Sequence, residues 1–291
     1  MTIMLNVTGK TKLLGIIGHP VGHSLSPAMQ NAALSACGLD YIYVPFDVEP
    51  VRLAGAVSGL RALGVSGFNV TIPHKVEIMA LLDALDESAE AAGAVNTVYN
   101  DNGKLIGYNT DGDGFVRSLK EDLGFTPGGG TIVLAGAGGA ARGAVAALCR
   151  AGATRIVIVN RNQDRVKQLS SALGGRYTST EIIPVAMDAS AKPFLKEAVL
   201  FVNTTSLGME QEKIPFISPA DMPPYGKIYD MVYSPPLTPL LLDAAELGLD
   251  YANGLGMLAG QGELAFRIWT GCSPPVGIMK AVLASICIAS Q

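Results

Sequence analysis

Lys75 is the first residue whose type and setting suggest chemistry. It ends the segment GFNVTIPHK, residues 67–75, in which Asn69 and Thr71 alternate with apolar residues as in a strand with one polar face. Apolar residues then recur every three or four positions: Val76, Ile78, Met79, Leu82 and Leu85. Together with Pro73, this spacing predicts a helix with Lys75 in its first turn. The positive end of a helix dipole disfavours an ammonium group, so Lys75 is a candidate for proton transfer near neutral pH, or else an ordinary surface lysine.

Hydroxyl groups precede another predicted helix. Ser24 and Ser26 lie in the segment HPVGHSLSP, residues 19–27, after the first apolar strand pattern. Hydroxyls and the free amides of a helix end together form a neutral cradle for a carboxylate. Ser26 also precedes Pro27, so a structural N-cap explains this serine equally well.

Polar side chains also follow strand patterns further along the chain. Asn96 lies in GAVNT and Asp111 in YNTDG, each where a strand pattern ends. Asn and Asp are ordinary turn residues, which is the alternative for each of them taken singly. Together with the 69–75 segment, they predict a site for a polyhydroxylated substrate at the strand ends.

A glycine loop predicts a dinucleotide site. A strand pattern over 131–135 leads into a G-x-G-x-x-A loop, a helix pattern over 141–150 and a second strand pattern over 155–159. The loop comprises Gly136, Ala137, Gly138, Gly139 and Ala140. Glycines let the backbone approach a pyrophosphate, and the helix N-terminus supplies amide donors. This order of elements favours nucleotide binding over a plain tight turn.

The end of the second strand pattern favours NADP. A NAD site usually has Asp or Glu there, about 20 residues beyond the loop, to accept a hydrogen bond from the ribose 2′-hydroxyl. Asn160 and Arg161 occupy that place, and Arg165 follows one helical turn later. Guanidinium groups hold a 2′-phosphate by charge-assisted hydrogen bonds. Asp164 lies nearby, and both arginines are alternatively solvated helix charges, so NAD stays open.

The elements that must position these residues alternate between strand and helix. Strand patterns cover 13–18, 41–48 and 67–72, with helices beginning at Pro27, Pro50 and Pro73. A hairpin of 95–99 with 104–108 leads to a helix over 112–123, and the glycine-rich break 127–130 precedes the second unit. The fold class is therefore α/β, with two α/β domains.

Composition narrows the partners to small molecules. The 291 residues suffice for two domains, and a formal net charge of -4 without a basic run argues against nucleic acid. The four cysteines are far apart and the three histidines lack ligand spacing, so neither a metal site nor disulfides are expected. The apolar stretch 276–289 is too short for a membrane span and is predicted to be a core helix. We expect a cytoplasmic monomer or homodimer.

Taken together, these motifs resemble the shikimate dehydrogenases and their quinate/shikimate relatives, from Leu13 almost to the C-terminus. The matching motifs are HSLSP, NVTIPHK, GAVNT, YNTDG, GAGGAA, NR followed by Arg165, NTTSLGM, YDMVYSPPLTPLL and NGLGMLAGQ. The resemblance implies an N-terminal substrate domain of residues 1–111 plus 256–291, and a Rossmann-type NADP-binding domain of residues 112–255. The C-terminal helices would return to the first domain. The implied reaction is NADP-dependent reduction of 3-dehydroshikimate to shikimate, in the route to aromatic amino acids.

The resemblance also implies a role for each site residue, carried over motif by motif. Ser24 and Ser26 would bind the substrate carboxylate, and Lys75 and Asp111 would form the catalytic pair. The ring and its hydroxyls would be surrounded by Asn69, Thr71, Asn96, Tyr233 and Gln261. The cofactor would contact residues 136–140, Asn160, Arg161, Arg165, Met231 and Gly254.

Three local departures from the family pattern bear on cofactor preference and substrate breadth, and two other interpretations stay open. Asn162 stands where NADP-using members commonly have Thr, and Gly262-Glu263 replace small apolar residues. Met29-Gln30-Asn31 resembles the quinate/shikimate subgroup. The alternatives are a quinate/shikimate dehydrogenase that uses NAD or both cofactors, and a non-catalytic nucleotide-sensing protein.

Overall fold

The structure, a computed structural model, describes residues 7–289. The chain divides into two compact units, the first running to Thr110 and resuming at Gln261, the second being Asp111–Gly260. The sequence-based boundaries are 111/112 and 255/256, whereas this division falls at 110/111 and 260/261. Packing explains the second difference, because the first turns of the helix Leu255–Thr270 lie against the second unit. A side chain at Gly256, for example, would overlap the hydroxyl of Ser118.

The first unit contains a mixed six-stranded sheet in the order β2-β1-β3-β5-β6-β4. Its strands are β1 (Lys12–Gly18), β2 (Tyr41–Asp47), β3 (Gly67–Val70), β4 (Ala84–Leu85), β5 (Thr97–Asp101) and β6 (Lys104–Tyr108). Its helices, apart from the shared helix described above, are α1 (Ser26–Ala36), α2 (Leu53–Ala62), α3 (Glu87–Ala92) and the C-terminal helix Ile278–Ala289. β1 pairs in parallel with β2 and β3, while β5 runs antiparallel to β3 and β6. The end of β3 therefore lies beside the start of β5, near the polar segments predicted to form the substrate site.

The second unit contains a six-stranded parallel sheet in the order β12-β11-β10-β7-β8-β9. Its strands are β7 (Thr131–Ala135), β8 (Arg155–Asn160), β9 (Glu181–Ala186), β10 (Ala198–Asn203), β11 (Lys227–Asp230) and β12 (Asp250–Asn253). Its helices are α4 (Asp111–Leu123), α5 (Gly139–Arg150), α6 (Gln163–Gly174), α7 (Lys192–Leu195), α8 (Pro239–Glu246) and the start of α9 (Leu255–Thr270); Ile278–Ala289 is α10. This is the doubly wound arrangement, in which the strand order reverses between β7 and β10. Ligands bind such sheets at the carboxyl edge of that switch point.

Buried apolar side chains explain why these segments form a parallel sheet. All five residues of β7 are buried, as are the central residues of β8, which is the continuous apolar pattern of strands covered on both faces. Separate buried clusters cover the two faces, one around Phe115 and Tyr229, the other around Phe201 and Leu241. The side chains packed on each face thus exclude water from the sheet and hold in place the strands that lead to the glycine loop.

The helix predicted from Pro73 is wrong. Turns follow β3, and only a short 3₁₀ helix, Glu77–Leu81, forms before β4. The apolar spacing does not make one buried stripe, because Ile78 is fully buried while Val76 is exposed. The carbonyl of Lys75 instead accepts from the amide of Val95, two residues before β5, at 2.7 Å. Lys75 therefore lies in a turn and not in the first turn of an α-helix.

Trp269 fixes α9 to the sheet of the first unit. Its indole nitrogen donates to the carbonyl oxygen of Val98 at 2.9 Å, and its ring lies where a side chain at Gly67 would be. The ring is 5% exposed and packs obliquely on Tyr43. Glycine at position 67 is thus required by close approach rather than by backbone conformation.

We expect Gly67→Ala to destabilise the protein by about 1–3 kcal/mol, the usual cost of forcing extra volume into a packed core. The added Cβ would lie 2.2 Å from the Trp269 ring and 2.8 Å from the Val98 oxygen. Chemical unfolding followed by fluorescence of this tryptophan measures the change. Gly55→Ala is the matched control, because its helical position is open and alanine there should stabilise by about 0.4–1 kcal/mol. Equal effects of both changes would contradict the packing argument.

Candidate active site

Two buried asparagines organise the polar side of the first unit. Asn69 at the end of β3 donates from Nδ2 to the carbonyl of Asn96 at 2.9 Å and to the hydroxyl of Thr97 at 3.1 Å. Asn96 in turn donates to the hydroxyl of Thr110 at 2.9 Å, and its Oδ1 accepts from the Thr110 amide at 2.8 Å. All of these side chains are buried. The network joins the end of β3, the start of β5 and the end of β6, and it fixes Thr110, the residue before Asp111.

Tyr43 extends this network toward the two serines. Its hydroxyl donates to Oδ1 of Asn69 at 2.7 Å, and burial raises the pKa of this phenol despite a hydrogen bond with the side chain of Ser26. Tyr43 is therefore a neutral donor at physiological pH. The N-cap explanation for Ser26 is wrong, because the cap residue of α1 is Leu25 and makes no side-chain cap bond. Ser24 is partly buried, and its Oγ accepts from the amide of Ser26 at 3.3 Å.

Thr71 and Lys75 follow β3 on the same segment. The methyl group of Thr71 occupies the space beside Gly18, where an added Cβ would lie 2.3 Å from it. This contact fixes the side chain of Thr71 at the end of β1. Lys75 is partly buried in the first unit, whereas Asp111 is the first residue of the second unit and begins α4.

Gln261 lies where α9 enters the first unit, and it is buried. The next residue, Gly262, accepts a hydrogen bond on its carbonyl oxygen from Nε2 of Gln30 at 3.0 Å. A side chain at Gly262 would meet the sulfur-bearing chains of Met29 and Met279. The unusual residues at 29–31 and 262 are therefore packing partners of one another, which a reading of either segment alone does not reveal.

In the second unit, the glycine loop lies at the carboxyl end of β7. Gly136 has a φ of 118°, and an added Cβ would lie 2.3 Å from the hydroxyl oxygen of Thr204, so only glycine fits. Gly138 is the N-cap residue of α5, and the following Gly139 and Ala140 are exposed. The first amides of α5 are thus accessible to an anion.

The carboxyl end of β8 carries the residues that predict cofactor preference. β8 pairs with β7 in register, Ala135 opposite Val159, so Asn160 and Arg161 follow directly beside the glycine loop. Arg161 and Arg165 are exposed. Asn162 is the N-cap of α6, with Oδ1 accepting from the amide of Arg165 at 3.0 Å. The Thr-to-Asn departure at position 162 therefore keeps the capping function, since both residue types cap helices.

The next strands of the same edge bring Met231 and Gly254 together. A side chain at Gly254 would collide with the carbonyl group of Met231, and the Gly254 amide donates to Val232 at 3.2 Å. Tyr233 follows in the same loop and is partly buried. Of the predicted cofactor residues, the structure thus brings the loop, Asn160 and the Met231–Gly254 pair to one edge of one sheet.

Sequence reasoning missed the residue that holds these loops. Asp230, at the end of β11, is fully buried and accepts from Asn203 at 2.8 Å, from the amide of Val232 at 3.0 Å and from Thr238 at 2.7 Å. Burial raises the pKa of Asp230, although these three donors oppose the shift. The only signal in the sequence was its place in the YDMVYSPPLTPLL motif, which does not distinguish a ligand contact from a support.

Because the pKa of Asp230 is raised in the folded state, the folded protein binds a proton more readily than the unfolded chain. Its contribution to stability therefore increases as pH falls through the raised value toward the ordinary one. We expect the unfolding free energy of the wild type, relative to Asp230→Asn, to rise as pH is lowered from neutral. Urea unfolding across that range measures it. Asp188→Asn should give the opposite slope, because hydrogen bonds from Ser190 lower the pKa of Asp188; parallel curves for both variants would exclude this role of burial.

Among residues 7–289, no group of three or more His, Cys, Asp or Glu side chains is arranged to hold a metal ion. In the same part of the chain, no helix has the length and apolar character needed to cross a membrane.

The fold and site together define a class of protein: a two-unit α/β protein with a doubly wound dinucleotide-binding unit. Three family descriptions match successive parts of the chain. They are "Shikimate dehydrogenase substrate binding domain" over residues 16–98, "Shikimate / quinate 5-dehydrogenase" over 124–206 and "Shikimate 5'-dehydrogenase C-terminal domain" over 254–284. The chain belongs to the shikimate dehydrogenase family.

Individual relatives agree with this assignment. The chain is 54% identical over 277 residues to the shikimate dehydrogenase (NADP(+)) of Geobacter sulfurreducens, covering 95% of this chain and 97% of that protein. Among solved structures, a shikimate dehydrogenase in complex with NADP+ is 37% identical with a TM-score of 0.89, over 99% of both chains. Shikimate 5-dehydrogenase from Listeria monocytogenes, in complex with shikimate and NAD, is 38% identical with a TM-score of 0.88, over 97% of this chain and 99% of that one.

Proposed function

We propose that this chain acts as an NADP-dependent shikimate dehydrogenase, reducing 3-dehydroshikimate reversibly to shikimate by hydride transfer in the route to aromatic amino acids. One observation carries the proposal: a doubly wound sheet in which β8 ends at Asn160 and is followed by Arg161, in the same chain as the buried network behind the NVTIPHK segment. Two relatives that are 54% and 53% identical to this chain are named shikimate dehydrogenase (NADP(+)), which supports the same substrate and cofactor.

The substrate residues are proposed to act through neutral hydrogen-bonding groups. Ser24 and Ser26 would hold the carboxylate. The phenol of Tyr43 donates to Asn69, so in its hydrogen bond with Ser26 the serine is the donor, and the Ser26 hydroxyl would turn from Tyr43 to the carboxylate when substrate binds. Asn69 Oδ1 accepts one hydrogen bond, from Tyr43, and an amide oxygen can accept two, so a substrate hydroxyl can supply the second. The remaining ring contacts are proposed for Thr71, Asn96, Tyr233 and Gln261.

Lys75 and Asp111 are proposed to be the catalytic pair. In the oxidation direction, the neutral amine of Lys75 would accept the proton of the reacting hydroxyl. Hydride would leave from the carbon that bears this hydroxyl. In reduction, the ammonium would return that proton to the oxygen of the carbonyl group. Asp111 would orient the amine, and the start of α4 fixes its backbone, since acidic residues are favourable in the first turn of a helix.

The residues present fit a dinucleotide phosphate cofactor, which when bound supplies the hydride for the reduction. The cradle is the 136–140 loop, where Gly136 has no room for a side chain and the first amides of α5 are accessible. Asn160, Arg161 and Arg165 would hold the 2′-phosphate. Met231 and Gly254, which follow β11 and β12, would contact the cofactor at the other end of the same sheet edge.

A steady-state assay with shikimate and quinate, each with NADP and NAD, tests this function. We expect turnover chiefly with shikimate and NADP, followed by the absorbance of the reduced nicotinamide. Comparable turnover of quinate with NAD would instead identify a quinate/shikimate dehydrogenase. Binding of NADP by folded protein without turnover of any pair would identify a nucleotide sensor. Whether the active form is a monomer or a homodimer stays a prediction, which sedimentation of the same preparation measures.

A further inference from the structure

An open pocket of about 440 Å³ lies between α4, α5 and the loop that follows α4, within the second unit. Its lining comes from one face of each helix. On α4, Asp113, Val116, Arg117 and Lys120 recur at three- or four-residue spacing, and Ala147 and Arg150 on α5 do the same, followed by Ala151 at its C-cap. Phe125, Thr126 and Pro127 close its third side. None of these residues belongs to the sheet edge that carries the glycine loop.

The floor of this α4–α5 pocket is apolar. Val116 and Phe125 are partly buried against the core of the second unit, and Ala147 is almost fully buried. A volume of this size is within the range of small-molecule sites, roughly 300–1,000 Å³, which are mostly apolar with a few polar groups. The floor therefore suits a compact apolar body of one or two rings.

The rim is cationic, although the whole chain carries a formal net charge of -4. Arg117, Lys120 and Arg150 line the pocket against the single carboxylate of Asp113. Arg150 donates to Asp113 at 2.7 Å, and Arg117 to Glu121 at 2.6 Å.

Lys120 differs from the two arginines. In the part of the chain that the structure describes, its ammonium group has no hydrogen-bond or ion-pair partner. It lies one helical turn from Arg117, and like charges at this spacing repel each other. An anion at the rim would relieve this repulsion and pair with Lys120.

We propose that the α4–α5 pocket is a binding site for a small amphipathic anion, an apolar ring body that carries one carboxylate. The ring body would rest on Val116, Phe125 and Ala147, and the carboxylate would face Lys120. This site is independent of the dehydrogenase activity proposed above, since it uses none of the substrate or cofactor residues.

The test uses the full chain and two probes with the same ring body and similar shape, the anionic 2-naphthoate and the neutral 2-naphthamide. We expect saturable binding of naphthoate by calorimetry, with the neutral amide about tenfold weaker, the effect of one charge-assisted hydrogen bond of about 1.4 kcal/mol. Methyl NMR shifts should concentrate on Val116, Ala147 and Ala151. Absence of saturable binding at millimolar naphthoate, or equal affinity for the two probes, would overturn the proposal.

Two variants separate the contributions of charge and volume. Lys120→Gln should remove the preference for naphthoate and leave amide binding unchanged, while Ala151→Leu, at the partly buried residue that follows α5, should block both probes. Lys167→Gln, an exposed lysine on α6, is the matched charge control and should bind as wild type does. Displacement of naphthoate by shikimate, with binding unchanged in Ala151→Leu, would place the probe in the substrate site and overturn the proposal. Thermal unfolding of each variant confirms that the chain is folded.

Discussion

Replacing Lys75 by alanine should lower kcat for shikimate oxidation by about 10²–10⁴-fold, the range contributed by a positioned proton-transfer group. The loss should appear equally in kcat/KM, because the proposed interaction is made in the transition state rather than with bound substrate. The dissociation constant for shikimate, measured by calorimetry in the presence of cofactor, should change little. Stopped-flow measurement of the hydride step shows whether the chemistry itself has slowed.

Lys75→Arg distinguishes proton transfer from a purely electrostatic role. The guanidinium keeps the positive charge but cannot lose a proton in the working pH range, so this variant should be as slow as Lys75→Ala. Lys104→Ala, at the exposed start of β6, removes a lysine of the same unit and should retain wild-type kinetics. Restoration of turnover by arginine, or loss of affinity with unchanged kcat, would contradict the assignment of Lys75 as the proton-transfer residue.

The second large effect is expected on NADP affinity, at Arg161 and Arg165 near the carboxyl end of β8. Removing both arginines, Arg161→Ala with Arg165→Ala, should raise the dissociation constant for NADP by about 10- to 100-fold, because hydrogen bonds to charged groups contribute about 1.5–3 kcal/mol. The constant for NAD should stay nearly the same, since the arginines are proposed to contact only the 2′-phosphate. Titration of each cofactor by calorimetry gives both values.

The ionic strength of the medium provides an internal check on this effect. Both arginines are exposed, so their attraction for the phosphate is screened, and the preference for NADP over NAD should decrease as salt is added. Arg176→Ala, an exposed arginine beyond the end of α6, is the matched control and should leave both affinities unchanged. An equal loss of NADP and NAD affinity in the double variant would exclude specific recognition of the 2′-phosphate.

The dinucleotide unit could be predicted from the sequence because its signals are local. The strand prediction 131–135 agrees with β7, and the helix prediction 141–150 differs from α5 only at its start. The continuous apolar run of β7 and the glycine motif that follows it both lie within a few positions of the chain, so a single segment reveals them. The contact with Thr204, which also requires glycine at position 136, is visible only in the folded chain.

The setting of Lys75 could not be predicted in the same way. Its apolar spacing indicated a helix, yet the segment forms only turns and the short 3₁₀ helix Glu77–Leu81, and the carbonyl of Lys75 accepts from the amide of Val95, 20 residues further along the chain. The assignment of Ser26 as a cap was equally local in origin, and it failed because α1 begins at Ser26 itself, with Leu25 in the cap position. The side chain of Ser26 is hydrogen-bonded to Tyr43 of β2, a contact that no local pattern reveals.

The sequence by itself determined the α/β class, the order of most elements, the dinucleotide loop and the family, because each depends on motifs or periodicity along the chain. Only the tertiary structure decided which polar residues support others: Tyr43 and Asn69, Gln30 and Gly262, Asn203 and Asp230. These pairs join residues 26, 232 and 27 positions apart, respectively. Burial makes an unpaired polar group costly, so each partner is selected by the packing of the folded chain and not by its neighbours in sequence.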